Sequence, residues 1–236
     1  MKTILHLKYN ERMRNDAYGL SERRKDMQLI AMLTMLIDHA GIVFFPDQIW
    51  LRVIGRIAFP IYAYALVQGH YFTRSRTKYL FRLFILALLS QIPYQLALDP
   101  DGLNVVVTLF VAAAVLQILE RNLSMAAKAG IVLAFCVLME GFPFDYGAYG
   151  LLLVIAFRYA SSEKLLGAHL LLNILYLIAF GAGAVLQMLS IVPTLVIVYG
   201  PYLWKKIEQA RVRAWVWRSF YPLHLTVLAV LQRLDA

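Results

Sequence analysis

The sequence predicts an all-α fold: a polytopic membrane bundle of about nine transmembrane helices, at roughly 20 apolar residues per span, with the N-terminus in the cytoplasm. Three observations predict it. The chain is 61% hydrophobic and 16% charged, where a soluble domain holds about 45–50% and about 25%. Its apolar residues fall into runs of near span length divided by short polar turns. Its Lys and Arg residues gather in alternate loops, so the net charge of +9 orients the chain in a membrane and does not recruit nucleic acid.

Residues 1–26 form a basic cytoplasmic arm carrying Lys2, Lys8, Arg12, Arg14, Arg23, Arg24 and Lys25, and 27–236 form a single transmembrane domain. The arm is too polar for a cleavable signal, so the first span serves as its own targeting signal. Spans are expected at 27–45 (outward), 49–71 (inward, broken by Pro60) and 79–98 (outward, ending in the acidic turn Asp99-Pro100-Asp101-Gly102). The next fall at 104–119, 129–139 and 146–159; the middle one is short unless it begins near Met125. The last are 165–180, 185–204 with Pro193 inside it, and 214–231. A GAG turn divides the seventh from the eighth, but 165–198 is one long apolar run, which leaves that division open. Inner loops carry Arg74, Arg76 and Lys78, then Arg121 and Lys128, then Arg158 and Lys164, then Lys205, Lys206, Arg211 and Arg213. The outer turns are not rich in Lys or Arg, which fits a multi-pass protein surrounded by lipid with its N-terminus inside.

Charge inside apolar spans is costly and usually marks a site. Asp38 and His39 lie past the middle of the first span, at the depth of Arg52 and Arg56 in the second. The two arginines are four apart and share a face. Asp38 and His39, being consecutive, point roughly 100° apart and take different partners. Asp38 is expected to pair with Arg, either as a structural lock between two helices or as the support of a reaction centre containing His39 and Arg56. At the cytoplasmic side, Arg74, Lys78 and Arg82 surround one membrane entrance, with His70 beside it; this cluster either is positive-inside charge or answers the phosphates of an anionic ligand. His224 sits mid-span after Pro222, approached by Arg218 and Tyr221. Asp145 and Tyr149 in FPFDYGAYG, and Gln91 and Tyr94 in QIPY, stand at the outer surface as an aromatic belt or a substrate rim.

Other chemistries leave no trace. HExxH, P-loop, GxSxG and GxGxxG patterns are missing, and the five histidines lack ligand spacing, so no metal is expected. Cys136 stands alone in IVLAFCVLM and can form no intrachain disulfide.

The stretch LIAMLTMLIDHAGIVFFP, then LRVIGRIAFPIYAYALVQGHYFTRSRTKYLFRLFILALLSQIPY, NVVVTL, DYGAYG and FYPLHL, resembles the TraX family, named for acetylation of conjugative pilin. The resemblance runs from about Gln28 to Leu225. The TraX family in turn resembles the transmembrane acyltransferase superfamily, in which a histidine late in the first helix is the base and arginines near the third helix serve the donor; here those roles fall to His39 and Arg82. The resemblance implies acetyl-CoA as cosubstrate, entering near Arg74, Lys78, Arg82 and His70. It implies a pilin-like peptide, glycan or lipid acceptor arriving from outside past Arg52, Gln91, Tyr94, Asp145, Tyr149 and His224. Arg56 would stabilise the oxyanion and Asp38 would hold an arginine. Two other classes stay open: a proton-coupled transporter relaying through Asp38, His39 and Arg56, and a non-catalytic assembly factor for a surface structure.

Overall fold

The computed structural model describes residues 27–98, 101–203 and 212–234, with the side chains of 201–203 left aside. The predicted basic arm 1–26, the turn residues Asp99 and Pro100, and Lys205, Lys206 and Arg211 lie outside the described residues.

The described residues are helical, apart from turns and one isolated β-bridge between Leu103 and Phe144. In chain order the helices are α1 (Met27–Phe44), α2 (Ile49–Gly55), α3 (Ala58–Phe72), α4 (Arg76–Ala97), α5 (Val105–Leu119), α6 (Met125–Gly141), α7 (Gly147–Tyr159), α8 (Ser162–Phe180), α9 (Ile191–Leu203) and α10 (Ala214–Leu234), with a 3-10 stretch, Gly181–Ser190, between α8 and α9. Among the described residues, four stretches are long and apolar enough to cross a membrane: Met27–Phe44, Ile49–Phe72, Arg76–Ala97 and Ser162–Gly200. Apolar stripes face outward on them, as lipid requires; Leu171, Leu175 and Ile178 of α8 are each more than half exposed.

Two prolines set where helices break. Pro60 has no N–H for the Arg56 carbonyl and its ring clashes with it, so the break falls one turn before Pro60, at Arg56 and Ile57. Pro60 itself sits in the first turn of α3, where the missing donor costs nothing. The same device at Pro193 ends the 3-10 stretch and starts α9 at Ile191. The expectation of one helix from 185 is thereby corrected: 185–190 is 3-10. Gly181, with φ +59, caps α8 in the left-handed region and turns the chain. Bonds from α8 back to the following arm, His169 to Thr194 and Asn173 to Ser190, run in antiparallel register and make α8 and α9 two arms of a hairpin. The fifth predicted segment starts at Met125, where the Ser124 hydroxyl accepts from the Ala127 N–H as an N-cap.

Two apolar clusters form. One joins α3, α5, α7 and α8 through Phe59, Leu66, Leu116, Tyr149, Leu153 and Leu172. The other joins α1, α4 and α10 through Met35, Ala87, Tyr94, Tyr221 and Leu225. Side chains of both line the cavity that holds the candidate site.

Candidate functional site

The cavity has a volume of about 1000 Å3. Its walls include Asp38, His39, Arg52 and Arg56, together with Gln28 from the start of α1, Arg82 from α4 and Arg218 from α10. Gln28 and His39 are eleven residues apart on α1, which at 1.5 Å per residue separates them by about 16 Å. Between them the walls are largely apolar, and Tyr62 is stacked on Trp217 with ring centroids 4.5 Å apart. The Tyr62 hydroxyl is buried without a hydrogen-bond partner.

Asp38 and His39 take different partners. Arg52 Nε donates to Asp38 Oδ1 at 3.1 Å, and Arg56 Nη2 stands 3.6 Å from Asp38 Oδ2. His39 Nδ1 lies 2.7 Å from His224 Nε2, and His224 Nδ1 lies 2.7 Å from the Phe220 carbonyl oxygen. Both histidines are buried. Arg56 reaches past Asp38: its Nη1 donates to Gln187 Oε1 at 3.4 Å and its guanidinium lies 5.7 Å from the centre of the Tyr146 ring. Arg56, Asp145 and Tyr146 also border a second cavity of about 480 Å3, whose other walls include Glu140, Tyr149 and Tyr176.

Residues 23–232 match the family model described as TraX protein. The chain belongs to the TraX family. It is 28% identical over 232 residues to the probable fimbrial assembly protein FimC, serogroup H1, of Dichelobacter nodosus, across 86% of this chain and 92% of that protein. It is 32% identical over 148 residues to Protein TraX of Escherichia coli, across 60% of this chain and 58% of that protein. No solved structure matches.

The stretches that carry the TraX resemblance each have a physical reason. In GRIAFP, a Cβ on Gly55 would lie 2.2 Å from the Asp38 carboxyl carbon, so only glycine lets α1 bring its carboxylate against α2. Arg56 follows, and Phe59 stacks on Tyr146 at 3.8 Å. In DYGAYG, Tyr146 holds φ +65, a left-handed conformation that is costly for a tyrosine, and thereby puts its ring between the two cavities. The Asp145 carbonyl accepts from the Thr108 hydroxyl, and the Asp145 N–H donates to the Leu103 carbonyl at 2.9 Å, which fixes this loop against the start of α5.

QIPY serves the same junction. Gln91 donates to the Gly102 carbonyl at 2.7 Å and accepts from the Asn104 side chain at 2.7 Å, while Asn104 caps α5. Gln91 therefore ties α4 to α5 and does not border either cavity, unlike Tyr94, which lines the larger one. Tyr149, expected at an outer surface, is 2% exposed; its hydroxyl is bonded to His169, Asn173 and Ser190 at 2.8, 2.8 and 2.9 Å. His70 is fully buried, with neither ring nitrogen hydrogen-bonded, and lies outside the cavity walls. Lys78 and Arg74 are exposed and do not line the cavity; Arg82 does, joined by Arg218 from α10.

Sequence reasoning missed the Tyr149–His169–Asn173–Ser190–Thr194 network. Its members are small or singly polar residues in apolar runs, and only the α8–α9 hairpin brings them together.

Proposed function

We propose that this TraX-family protein is a multi-pass acyltransferase of the bacterial cytoplasmic membrane, its nine segments crossing with the N-terminus inside. It moves an acetyl group from cytoplasmic acetyl-CoA to an amine or hydroxyl of a pilin-like peptide, glycan or lipid at the outer side. The observation that carries this reading is one cavity lined both by a histidine among Asp38, Arg52 and Arg56 and by two further arginines, Arg82 and Arg218. The anionic part of the donor stays at Arg82 and Arg218, and its thioester reaches His39. As the acceptor attacks the thioester carbon, the neutral His39 ring takes its proton; the new C–N or C–O bond forms and the C–S bond breaks. The CoA thiolate leaves and takes the proton back from the imidazolium, giving CoA thiol and the acetylated acceptor. Arg56 faces the charge that develops on the thioester oxygen, and Asp38 holds the two arginines in place.

The test is transfer of label from acetyl-CoA into product in cells or vesicles. His39→Ala in folded protein is expected to lower it by about 10²-fold or more; full transfer by this variant refutes the reading.

One observation favours a second reading. The relative from Dichelobacter nodosus is named a probable fimbrial assembly protein, which supports a pilus-related role that needs no chemistry. Under it, pilus assembly survives both His39→Ala and Arg82→Ala.

A further inference from the structure

We propose that His224 is the positioning residue of His39, holding it in the Nδ1-protonated tautomer so that the Nε2 lone pair is the one free to accept a proton. The proposal rests on the reading of His39 as the base. It starts from an atom whose role is fixed: the Phe220 carbonyl oxygen only accepts, so His224 Nδ1, 2.7 Å away, carries a proton. A neutral imidazole has one N–H, so His224 Nε2 is then a lone pair. His39 Nδ1, 2.7 Å from that lone pair, must donate. The Nε2 of His39 is left as its single acceptor, on a ring that borders the large cavity.

The alternative, a doubly protonated His224 donating from both nitrogens, adds a third cation to a region where Arg52 and Arg56 already share Asp38, and Asp145, the other carboxylate on the cavity wall, also faces Arg56. Aromatic rings also pack against the pair. Phe220 stacks on His224 at 4.7 Å, and Tyr221 meets both imidazoles edge-on, at 6.1 and 5.6 Å. The two imidazole planes are 8° apart, so the contact also fixes the orientation of the His39 ring. The arrangement follows the logic of catalytic triads, with a neutral imidazole backed by a carbonyl where a triad has a carboxylate.

The experiment uses the full chain, labelled with 15N-histidine, in phospholipid vesicles, where nitrogen spectra distinguish protonated from unprotonated ring nitrogens. The His39 signal is assigned by its loss in His39→Gln. The expected wild-type spectrum shows His39 protonated at Nδ1 alone; His224→Phe loses this single tautomer and His224→Gln, whose amide oxygen accepts, restores it. A His39 protonated at Nε2 in the wild type overturns the proposal whether or not His224→Phe folds, as does a tautomer unchanged in His224→Phe. In the same vesicles, acetyl-CoA cleavage with water as acceptor is expected to lose kcat by about 10- to 100-fold in His224→Phe. KM for acetyl-CoA stays unchanged and His224→Gln recovers most of the rate. If instead His39→Gln cleaves at the wild-type rate, the base reading fails while the tautomer result stands.

Discussion

Gly55→Ala tests the packing on which the charged end of the cavity depends. The added Cβ would stand 2.2 Å from Asp38 Cγ, 2.3 Å from Oδ1 and 2.4 Å from Cβ. Ordinary contact needs about 3.5 Å, so the carboxylate must retreat by more than about 1 Å. It cannot do so freely, because Oδ1 is bonded to Arg52 Nε at 3.1 Å and Oδ2 faces Arg56. Either α1 shifts away from α2 or the ion pairs lengthen. Overpacking of this kind costs about 1–3 kcal/mol, which for a chain of this size lowers the unfolding midpoint by about 2–12 °C at about 2–4 °C per kcal/mol. Gly130→Ala is the control: nothing lies within 4 Å of its added Cβ, and it sits inside α6. There alanine is expected to be neutral or stabilising by about 0.5–1 kcal/mol. Thermal unfolding of both variants in detergent, followed by tryptophan fluorescence, decides the matter. Equal midpoints for the two variants would refute the claim that Gly55 is required by Asp38.

Further outcomes follow from other contacts. Glu120 joins Arg158 at 2.9 Å with side chains 15% and 12% exposed, and also meets Arg76. Glu120→Gln leaves a buried guanidinium without its counter-charge and is expected to cost about 3 kcal/mol. Arg76→Ala, on the exposed side of the same cluster, costs less than about 1 kcal/mol, and unfolding midpoints of the two compare them. Under the proposed function, Arg218→Ala removes one charge-assisted contact to the donor. It is expected to raise KM for acetyl-CoA about tenfold with kcat unchanged; steady-state kinetics with labelled acetyl-CoA measure both.

How much of the site is legible in the sequence depends on which contacts are local. That Asp38 and His39 serve different partners follows from the 100° between consecutive helical residues, and the pairing of Asp38 with Arg52 and Arg56 agrees with their shared depth and face. His70 shows the limit. In the sequence it ends an inward span beside Arg74, which suggests an exposed ring; the fold turns it inward, edge-on to Tyr79 at 6.3 Å. Gln91 and Tyr149 resemble rim residues because they flank turns, but turns also need their backbone groups satisfied, and these side chains are taken up in holding elements together.

The sequence by itself determined the class. An apolar chain must satisfy its backbone groups internally, and runs of near span length with helix-compatible turns leave helices as the answer. It also marked the break at Pro60, since proline acts on the backbone within one turn, whereas Pro93 and Pro222 lie inside α4 and α10 without ending them. Only the tertiary structure decided which polar groups meet. His39 and His224 are 185 residues apart, and nothing in either local pattern announces the other. Packing α10 beside α4 and α1 makes them neighbours, and burial then requires each ring nitrogen that meets a polar atom to share a proton with it. Arg218 enters the cavity for the same reason. Charge in the wrong solvent is visible in a sequence, but its partner is a property of the fold.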